Sequence, residues 1–120
     1  MEKSMNRKFS RELLRGSIDF MILGVLADRP KYGYLIQQDI SVASNQRVKL
    51  PPGTLYPLLH RMEADKLIRS KWESDTGRRR KWYEITAKGK KQLAKQVDQW
   101  REYVECVSQV ISVFPFPKPA

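Results

Sequence analysis

Four consecutive cations are the feature of this sequence that most directly suggests chemistry. They are Arg78, Arg79, Arg80 and Lys81, and no acidic residue interrupts them. Closely spaced guanidinium groups can clamp phosphates or enter a narrow, negative minor groove. A solvated turn would normally mix charges of both signs, whereas this row repels itself unless an anionic partner neutralises it. We therefore predict that these four cations contact DNA and that Lys71 contacts it with them.

A second group of candidate residues lies on a segment with helical spacing. Leu55, Leu58, Leu59 and Met62 recur at i, i+3, i+4 and i+7, which predicts one buried stripe. The opposite face carries hydroxyl, aromatic and guanidinium groups that can address bases or phosphates, and free N–H groups at the helix start favour a phosphate. The candidate DNA contacts are Gly53, Thr54, Tyr56, Pro57, His60 and Arg61. The alternative is an ordinary solvated helix face.

The sequence offers nothing for catalysis or for metal binding. His60 is the single His and Cys106 the single Cys, which argues against a transition-metal site within one chain and excludes an internal disulfide. No Ser or Cys lies in an activating motif, and no Gly-rich phosphate loop is present. We predict a protein that is not an enzyme and that has no cofactor.

Charge and composition agree with a polyanionic partner. The 120 residues carry a formal net charge of +10, and the stretch from Arg61 to Lys91 contributes 11 basic and 5 acidic residues. The 41% hydrophobic content is enough for a core, which argues against a disordered basic tail. The longest apolar run is far shorter than a membrane span. These observations predict a cytoplasmic nucleic-acid-binding domain that does not engage membranes.

The elements that must position these residues can be predicted in order. Ser10 is a candidate cap for a first helix that ends before Pro30. A second helix runs from about Tyr32 to Ser44, with Asn45 closing it in a left-handed conformation. The third helix starts at Gly53 or Thr54, since Pro57 is tolerated only near a first turn, and its pattern closes at Leu67. Two aromatic, β-branched runs, 68–74 and 81–86, then predict a β-hairpin.

A long fourth helix completes the predicted fold. Thr86 caps it, and it extends to about Ser112. The fold class is therefore mainly α with a small β-hairpin: a winged helix-turn-helix with an appended C-terminal helix. The predicted boundaries are a flexible arm at 1–9, the DNA-binding domain at 10–86, a dimerisation helix at 87–112 and a flexible tail at 113–120.

Apolar residues in the fourth helix repeat with heptad spacing. Successive members lie 4, 3, 4, 3 and 4 residues apart, as in a helix that packs along its length against another helix: Leu93, Val97, Trp100, Val104, Val107 and Ile111. Trp100 either fills space in a dimer interface or lines a gap where a flat apolar ligand stacks.

Other aromatic and thiol groups have plainer interpretations. Trp72, Trp82 and Tyr83 are expected to pack the hairpin against the core, with base stacking as the alternative. Cys106, next to the heptad seam, is expected to be a packed and inert thiol.

Several segments resemble the PadR family of transcriptional regulators. They are ELLRGS (12–17), ILGVL (22–26), YGY (32–34), PPGTLYPLLHRMEADKLI (51–68) and GRRRKWYEITAKGKKQL (77–93). Residues 11 to 112 share the resemblance, and the length is similar to that of the short subfamily with a single C-terminal helix. One departure is Pro51-Pro52, where the family commonly has a Ser, so that a side-chain cap is missing.

The resemblance implies a winged helix-turn-helix homodimer in a bacterial cytoplasm that represses genes from an inverted-repeat operator. It implies that residues 53–57 open the recognition helix, that residues 77–81 form the wing, and that the first and fourth helices build the dimer. Leu14 and Ile18 then join the heptad seam in the interface. Some members with a Trp in the C-terminal helix sense planar hydrophobic compounds, and Trp100 is similarly placed.

Two functions of different classes therefore remain. The first is a homodimeric regulator that binds double-stranded DNA and is released by a small hydrophobic or aromatic effector. The second is a winged-helix interaction module or a basic RNA-binding protein, because a fold alone does not settle function. Consecutive cations argue against a purely protein partner, and an A-form major groove does not admit a recognition helix.

Overall fold

The computed structural model describes residues 16–73 and 79–114 of the chain. Four helices and three strands follow in the order α1 (Ile18–Val25), β1 (Lys31–Tyr32), α2 (Gly33–Ala43), α3 (Pro52–Ala64), β2 (Ile68–Glu73), β3 (Arg80–Ile85) and α4 (Ala87–Val113). This order confirms the predicted winged helix-turn-helix with a long C-terminal helix. Ser10, Leu14, Arg78, the predicted arm and residues 115–120 lie outside the described residues.

The described part of the first helix begins later than its apolar spacing predicted. Gly16 has φ +83°, a left-handed conformation that glycine adopts without steric cost and that an α-helix cannot contain. Ser17 occupies the N-cap position without a side-chain cap hydrogen bond, and the helix starts at Ile18. The periodicity from Leu13 onward therefore does not mark one uninterrupted helix.

The sheet has a third strand that was not predicted. Its order is β1-β3-β2 and both pairings are antiparallel, with Lys31 opposite Tyr83 and Ile68 opposite Ile85. Tyr32 belongs to this strand and is the N-cap of α2, which runs from Gly33 to Ala43, so the predicted helix from about Tyr32 to Ser44 is confirmed to within one residue at each end. A strand of two residues is too short to show an alternation of apolar and polar side chains in the sequence. Its pairing with β3 defines it as a strand.

Residues from α1, α2, α3, β2, β3 and the connection between α2 and α3 form one core, and Leu93 of α4 packs against it. The buried apolar side chains are Ile22, Leu23, Leu26, Ile36, Ile40, Val48, Leu50, Leu55, Leu59, Met62, Ile68, Tyr83 and Ile85. A tight connection joins α2 to α3, in which Asn45 (φ 59°) and Gln46 (φ 68°) are both left-handed. The prediction that Asn45 closes the second helix is therefore confirmed.

Helix α3 starts earlier and ends earlier than predicted. Pro51 is the N-cap and makes no side-chain cap hydrogen bond, so the helix begins at Pro52 and Pro57 lies beyond its first turn. At the other end Lys66 is left-handed (φ 63°), and the amide of Leu67 donates to the carbonyl of Met62 at 3.0 Å. This pattern terminates a helix, and so Leu67 lies outside α3.

The cap of α4 confirms the role predicted for Thr86. Its Oγ1 accepts a hydrogen bond from the amide of Gly89 at 3.0 Å, and it lies 2.7 Å from the carbonyl oxygen of Lys66. The helix continues to Val113, one residue past its predicted end. Leu93 packs against the core, whereas residues 98–114 are all exposed. A helix of 27 residues is about 40 Å long, so its distal half projects from the domain.

Candidate nucleic-acid interface

Helix α3 has two distinct faces because its apolar residues recur at helical spacing. Leu55, Leu59 and Met62 are buried, and they fix the rotation of the helix against the core. The opposite face is exposed along its whole length. It carries all the helix residues that the sequence suggested for DNA contact, which are Gly53, Thr54, Tyr56, Pro57, His60 and Arg61.

Tyr56 is held in place by a close contact with the start of α2. Its phenol lies against Gly33, where a Cβ would overlap the ring. Gly33 is therefore required for close approach rather than for an unusual backbone conformation. The tyrosine remains 40% exposed, so that its outer edge is accessible while its position is fixed.

Arg61 has a partner that the sequence did not reveal. Its Nη2 donates to Oδ2 of Asp19 in α1 at 2.8 Å. The two residues are 42 positions apart, and no local pattern relates them. The guanidinium is exposed, and the ion pair ties it to α1. Arg61 would have to leave Asp19, or share it, in order to address a base or a phosphate.

The cations of the wing, which we define as β2, β3 and their connection, have different surroundings. Lys71 and Arg79 are exposed. Arg80 is half-buried, with Nη2 3.5 Å from Glu73 Oε2, and the Nζ of Lys81 lies 3.9 Å from Glu63 Oε1. The expectation that only an external anion neutralises the row was therefore wrong for Arg80 and Lys81, because acids from β2 and α3 approach them.

The two tryptophans of the wing also differ. Trp82 is half-buried, donates from Nε1 to Glu73 Oε1 at 2.7 Å, and meets the ring of Tyr32 edge-on with centroids 5.0 Å apart. Tyr83 is buried in the core, and burial raises its pKa. Trp72, by contrast, is 52% exposed. The interpretation that it packs the wing against the core was wrong: Trp72 lies on the same strand face as buried Ile68, but it lines the open cleft instead of joining the core.

The helix face and the wing line one open cleft of about 740 Å³. Aromatic rings and cations make up nearly all of its wall, which consists of Tyr32, Gly33, Tyr34, Tyr56, His60, Trp72, Arg79, Arg80, Lys81 and Tyr83. Among the residues that the structure describes, no carboxylate lines it. Of these residues, the sequence did not indicate Tyr32 and Tyr34, which the turn into α2 brings to the site.

Lys31 secures the turn that carries these tyrosines. Its Nζ lies 2.8 Å from Asp39 and 3.0 Å from Asp28, and it donates to the carbonyl of Val25 at the end of α1. The side chain is almost entirely buried. Burial by itself would lower the pKa of Lys31, but its hydrogen bonds to Asp39 and Asp28 outweigh burial and raise that pKa above its ordinary value. The lysine is therefore charged and satisfied.

The predicted dimer residues fall into two groups. Ile18 and Leu93 pack against the core of the same chain, and Val97 is half-buried. The remaining seam residues, Trp100, Val104, Val107 and Ile111, are exposed in the single chain. Cys106 is exposed as well, contrary to the expectation of a packed thiol.

A small cavity of about 240 Å³ adjoins Trp100. The ring of Phe20 in α1 meets Trp100 edge-on with centroids 6.4 Å apart, and the centroid of the Tyr103 ring also lies 6.4 Å from that of Trp100. The buried Oε1 of Gln96 has no hydrogen-bond partner among the described residues. The cavity is lined by Gly16, Ser17, Phe20, Gln96, Gln99, Trp100 and Tyr103.

Metal binding and membrane insertion receive no support from the described ranges. Within residues 16–73 and 79–114, no group of three His, Cys, Asp or Glu side chains is arranged to hold a metal ion. No helix in these ranges is both long and apolar enough to cross a membrane.

Comparison with known proteins gives a consistent result. Residues 22–95 match the model of a family described as transcriptional regulator PadR-like. The chain is 37% identical over 83 residues to Transcriptional regulator Rv3488 of Mycobacterium tuberculosis, an alignment that spans 69% of this chain and 75% of that protein.

Solved structures share the fold. A transcriptional regulator from Clostridium thermocellum superposes with a TM-score of 0.77 at 27% identity, over 83% of this chain and 98% of that one. A PadR-like transcription factor from Bacteroides fragilis gives a TM-score of 0.71 at 32% identity, over 82% and 94% of the two chains.

Proposed function

The chain belongs to the PadR-like family of transcriptional regulators, and from this premise we propose that it is a homodimeric repressor that binds an inverted-repeat DNA operator. It is a regulator rather than an enzyme, as the sequence predicted. The observation that carries the proposal is the shared cleft, in which exposed residues of α3 face the cations of the wing.

Each side of the cleft has a separate task in this proposal. The exposed face of α3 enters the major groove, where Thr54, Tyr56 and His60 meet base edges. The wing lies over the adjoining backbone, where Arg78, Arg79 and Lys71 contact phosphates. At the start of α3 the amide of Gly53 is available to an anion, whereas the amide of Thr54 donates to the carbonyl of Pro51 at 2.9 Å. Arg61 joins these contacts once it separates from Asp19.

The exposed seam of α4 supports the dimer. Monomeric soluble proteins rarely expose a continuous large apolar patch, and here it continues from Trp100 to Ile111 along one projecting helix. Pairing two such helices covers the seam and places two recognition helices on half-sites about one DNA turn apart. The predicted contribution of Leu14 and Ile18 to the same interface belongs to this proposal.

The cavity beside Trp100 is the proposed effector site. Its aromatic walls suit a flat hydrophobic compound, and the unpaired Oε1 of Gln96 suits a hydrogen-bond donor on that compound. Because α1 and α4 both line the cavity, a ligand there would favour one relative placement of these helices. In the dimer, the spacing between the two DNA-binding domains sets how well they fit the operator. An effector that binds better to one spacing than to another changes operator affinity by that difference in binding free energy.

Two sets of variants test whether α3 contacts bases and whether the wing contacts phosphates. Tyr56→Ala should narrow the affinity gap between operator and scrambled duplexes, because a base contact is lost. Arg78→Ala with Arg79→Ala should weaken binding to both duplexes alike and flatten the salt dependence, because phosphate contacts are lost. Fluorescence anisotropy with labelled duplexes measures both effects. Equal losses on both duplexes for Tyr56→Ala would contradict base reading by α3, and unchanged affinity in the double variant would contradict the role of the wing.

A further inference from the structure

Trp72 and Arg79 form a pair on the exposed surface of the wing. The Cζ atom of Arg79 lies 4.6 Å from the centroid of the indole ring, within the range of a cation–π contact. The Nζ of Lys81, directly across the sheet from Trp72, lies 5.8 Å from the same ring. Both Trp72 and Arg79 line the cleft between α3 and the wing.

Arg79 differs from Arg80 and Lys81 in having no carboxylate partner among the described residues. Arg80 pairs with Glu73 and Lys81 approaches Glu63, whereas Arg79 takes part in no ion pair among the described residues, and its contact there is the face of Trp72. An arginine held by a ring retains its full charge and its N–H donors. It is therefore free to bind an anion while its position is restricted.

Trp72 also lacks the packing that would explain a large aromatic residue structurally. About half of its surface is open, whereas Trp82 on the neighbouring strand is half-buried and hydrogen-bonded. Since the indole of Trp72 contributes little to the core and lies under the guanidinium of Arg79, we look to that contact for its role. It restricts the rotamers of the arginine, and this lowers the entropy lost when the arginine binds.

We propose that Trp72 is a positioning residue for DNA binding: its ring holds the Arg79 guanidinium over the cleft, where it meets a phosphate of the DNA backbone. The inference rests on the proposed function, since it assigns one residue of the same interface. Trp72 itself need not touch DNA. Its effect on affinity passes through Arg79.

A double-variant cycle on an operator duplex tests this inference. We expect Trp72→Ala and Arg79→Ala each to weaken binding about 3- to 10-fold, and the combined variant to bind within about 2-fold of Arg79→Ala alone, because the two changes remove one contact. Trp72→Phe should restore most of the affinity, since phenyl also accepts a cation. The salt slope should fall by up to about 1 for Trp72→Ala although no charge is removed.

Arg69 supplies the matched control. It lies on β2 with Trp72, and its guanidinium is already paired with Glu84 at 2.7 Å. Combining Arg69→Ala with Trp72→Ala should give additive losses, because the two residues do not act through each other. Thermal unfolding of each variant checks that the wing is intact, and Trp72→Thr, which keeps a residue suited to a strand, replaces Trp72→Ala if that variant does not fold.

The outcomes separate this inference from the proposed function. Additive losses for the Trp72 and Arg79 pair would mean that Trp72 contacts DNA by itself, which overturns the positioning role. Unchanged affinity and salt slope for Trp72→Ala would overturn it as well. If the wild-type protein binds no duplex at low salt, the proposed function fails and the positioning role fails with it.

Discussion

Some buried residues of this protein hold in place the segments that form its exposed cleft. Lys31 is the clearest case, because one ammonium group joins the end of α1 to Asp28 and to Asp39 of α2. The turn that it secures carries Tyr32 and Gly33 into the cleft. A buried lysine with three oxygen partners is costly to disturb, since its removal leaves those partners unsatisfied.

Replacing Lys31 should therefore destabilise the domain. Lys31→Met keeps the length of the side chain but leaves Asp39 and the carbonyl of Val25 without their donor, so we expect a loss of about 1–3 kcal/mol in the free energy of unfolding. Urea denaturation at neutral pH measures it. Unfolding of the variant at the wild-type urea concentration would show that the ammonium group contributes nothing.

The ionisation of the same cluster predicts the pH dependence of stability. Its hydrogen bond to Lys31 holds the pKa of Asp28 below the ordinary 3.8, so this contribution is complete above that value and is lost as the pH falls through the lowered pKa. The pKa of Lys31 is raised above 10.5, so its contribution persists until the pH rises through the raised value. Acid and alkaline losses of stability should both be smaller in Lys31→Met, and equal losses would contradict this assignment.

At the scale of elements, the junction between the wing and α4 depends on Gly89. A Cβ there would overlap the carbonyl oxygen of Leu67, which is backbone and cannot move aside cheaply. A Cβ added to Gly24 in α1 would meet no atom within 4 Å among the described residues. The two glycines therefore form a matched pair for substitution.

We expect Gly89→Ala to lower stability by about 2–4 kcal/mol through overpacking. Gly24→Ala should instead be neutral or stabilising by up to about 1 kcal/mol, because alanine favours a helix over glycine. Thermal or urea unfolding of the two variants compares them directly. Similar stability in both would mean that α4 is not docked through Gly89.

The contact between α1 and α3 predicts an effect on DNA binding. Asp19→Asn removes the carboxylate that holds Arg61, so we expect tighter binding of duplex DNA by about 3- to 10-fold at low salt and a salt slope steeper by about 1. Asp98→Asn on α4 is the control. It removes the same charge, but among the described residues Asp98 forms no ion pair that the substitution would break. Equal effects of the two substitutions would show that only net charge matters.

The sequence predicted elements well where a strong local signal existed. The apolar stripe of α3, the capping Thr86 and the left-handed Asn45 all depend on neighbouring residues, and each was confirmed. Strand β1 and the Arg61–Asp19 pair depend on residues far apart in the chain, which spacing cannot relate. The exposure of Trp72 was missed because strand alternation places it on the same face as buried Ile68, and the sequence does not show how far along that face the core extends.

In the molecule as a whole, α4 is the helix on which the proposed dimer depends. Its first half docks on the domain through Gly89 and Leu93, and its second half projects with an exposed apolar seam. A change of that seam should therefore affect assembly without disturbing the core. The proposed DNA-binding surface, formed by α3 and the wing, should remain folded.

A charge in the seam should dissociate the dimer. Val107→Glu places a carboxylate where two helices would meet, and burying it without a partner is costly, so we expect a monomer by light scattering and weaker operator binding. Gln109→Glu introduces the same charge on the same helix away from the seam and should remain dimeric. An unchanged mass for Val107→Glu, or a monomeric wild type, would contradict the interface.

In the proposed function, this protein recognises a particular DNA sequence through the cleft between α3 and the wing. The most direct test is a salt-titrated binding measurement on the duplex upstream of its own gene, with a scrambled duplex of equal length beside it. We expect a preference of about 1,000-fold or more for the native duplex, together with a steep loss of affinity as salt rises. Equal binding to both duplexes, or no binding to either at low salt, would contradict the claim.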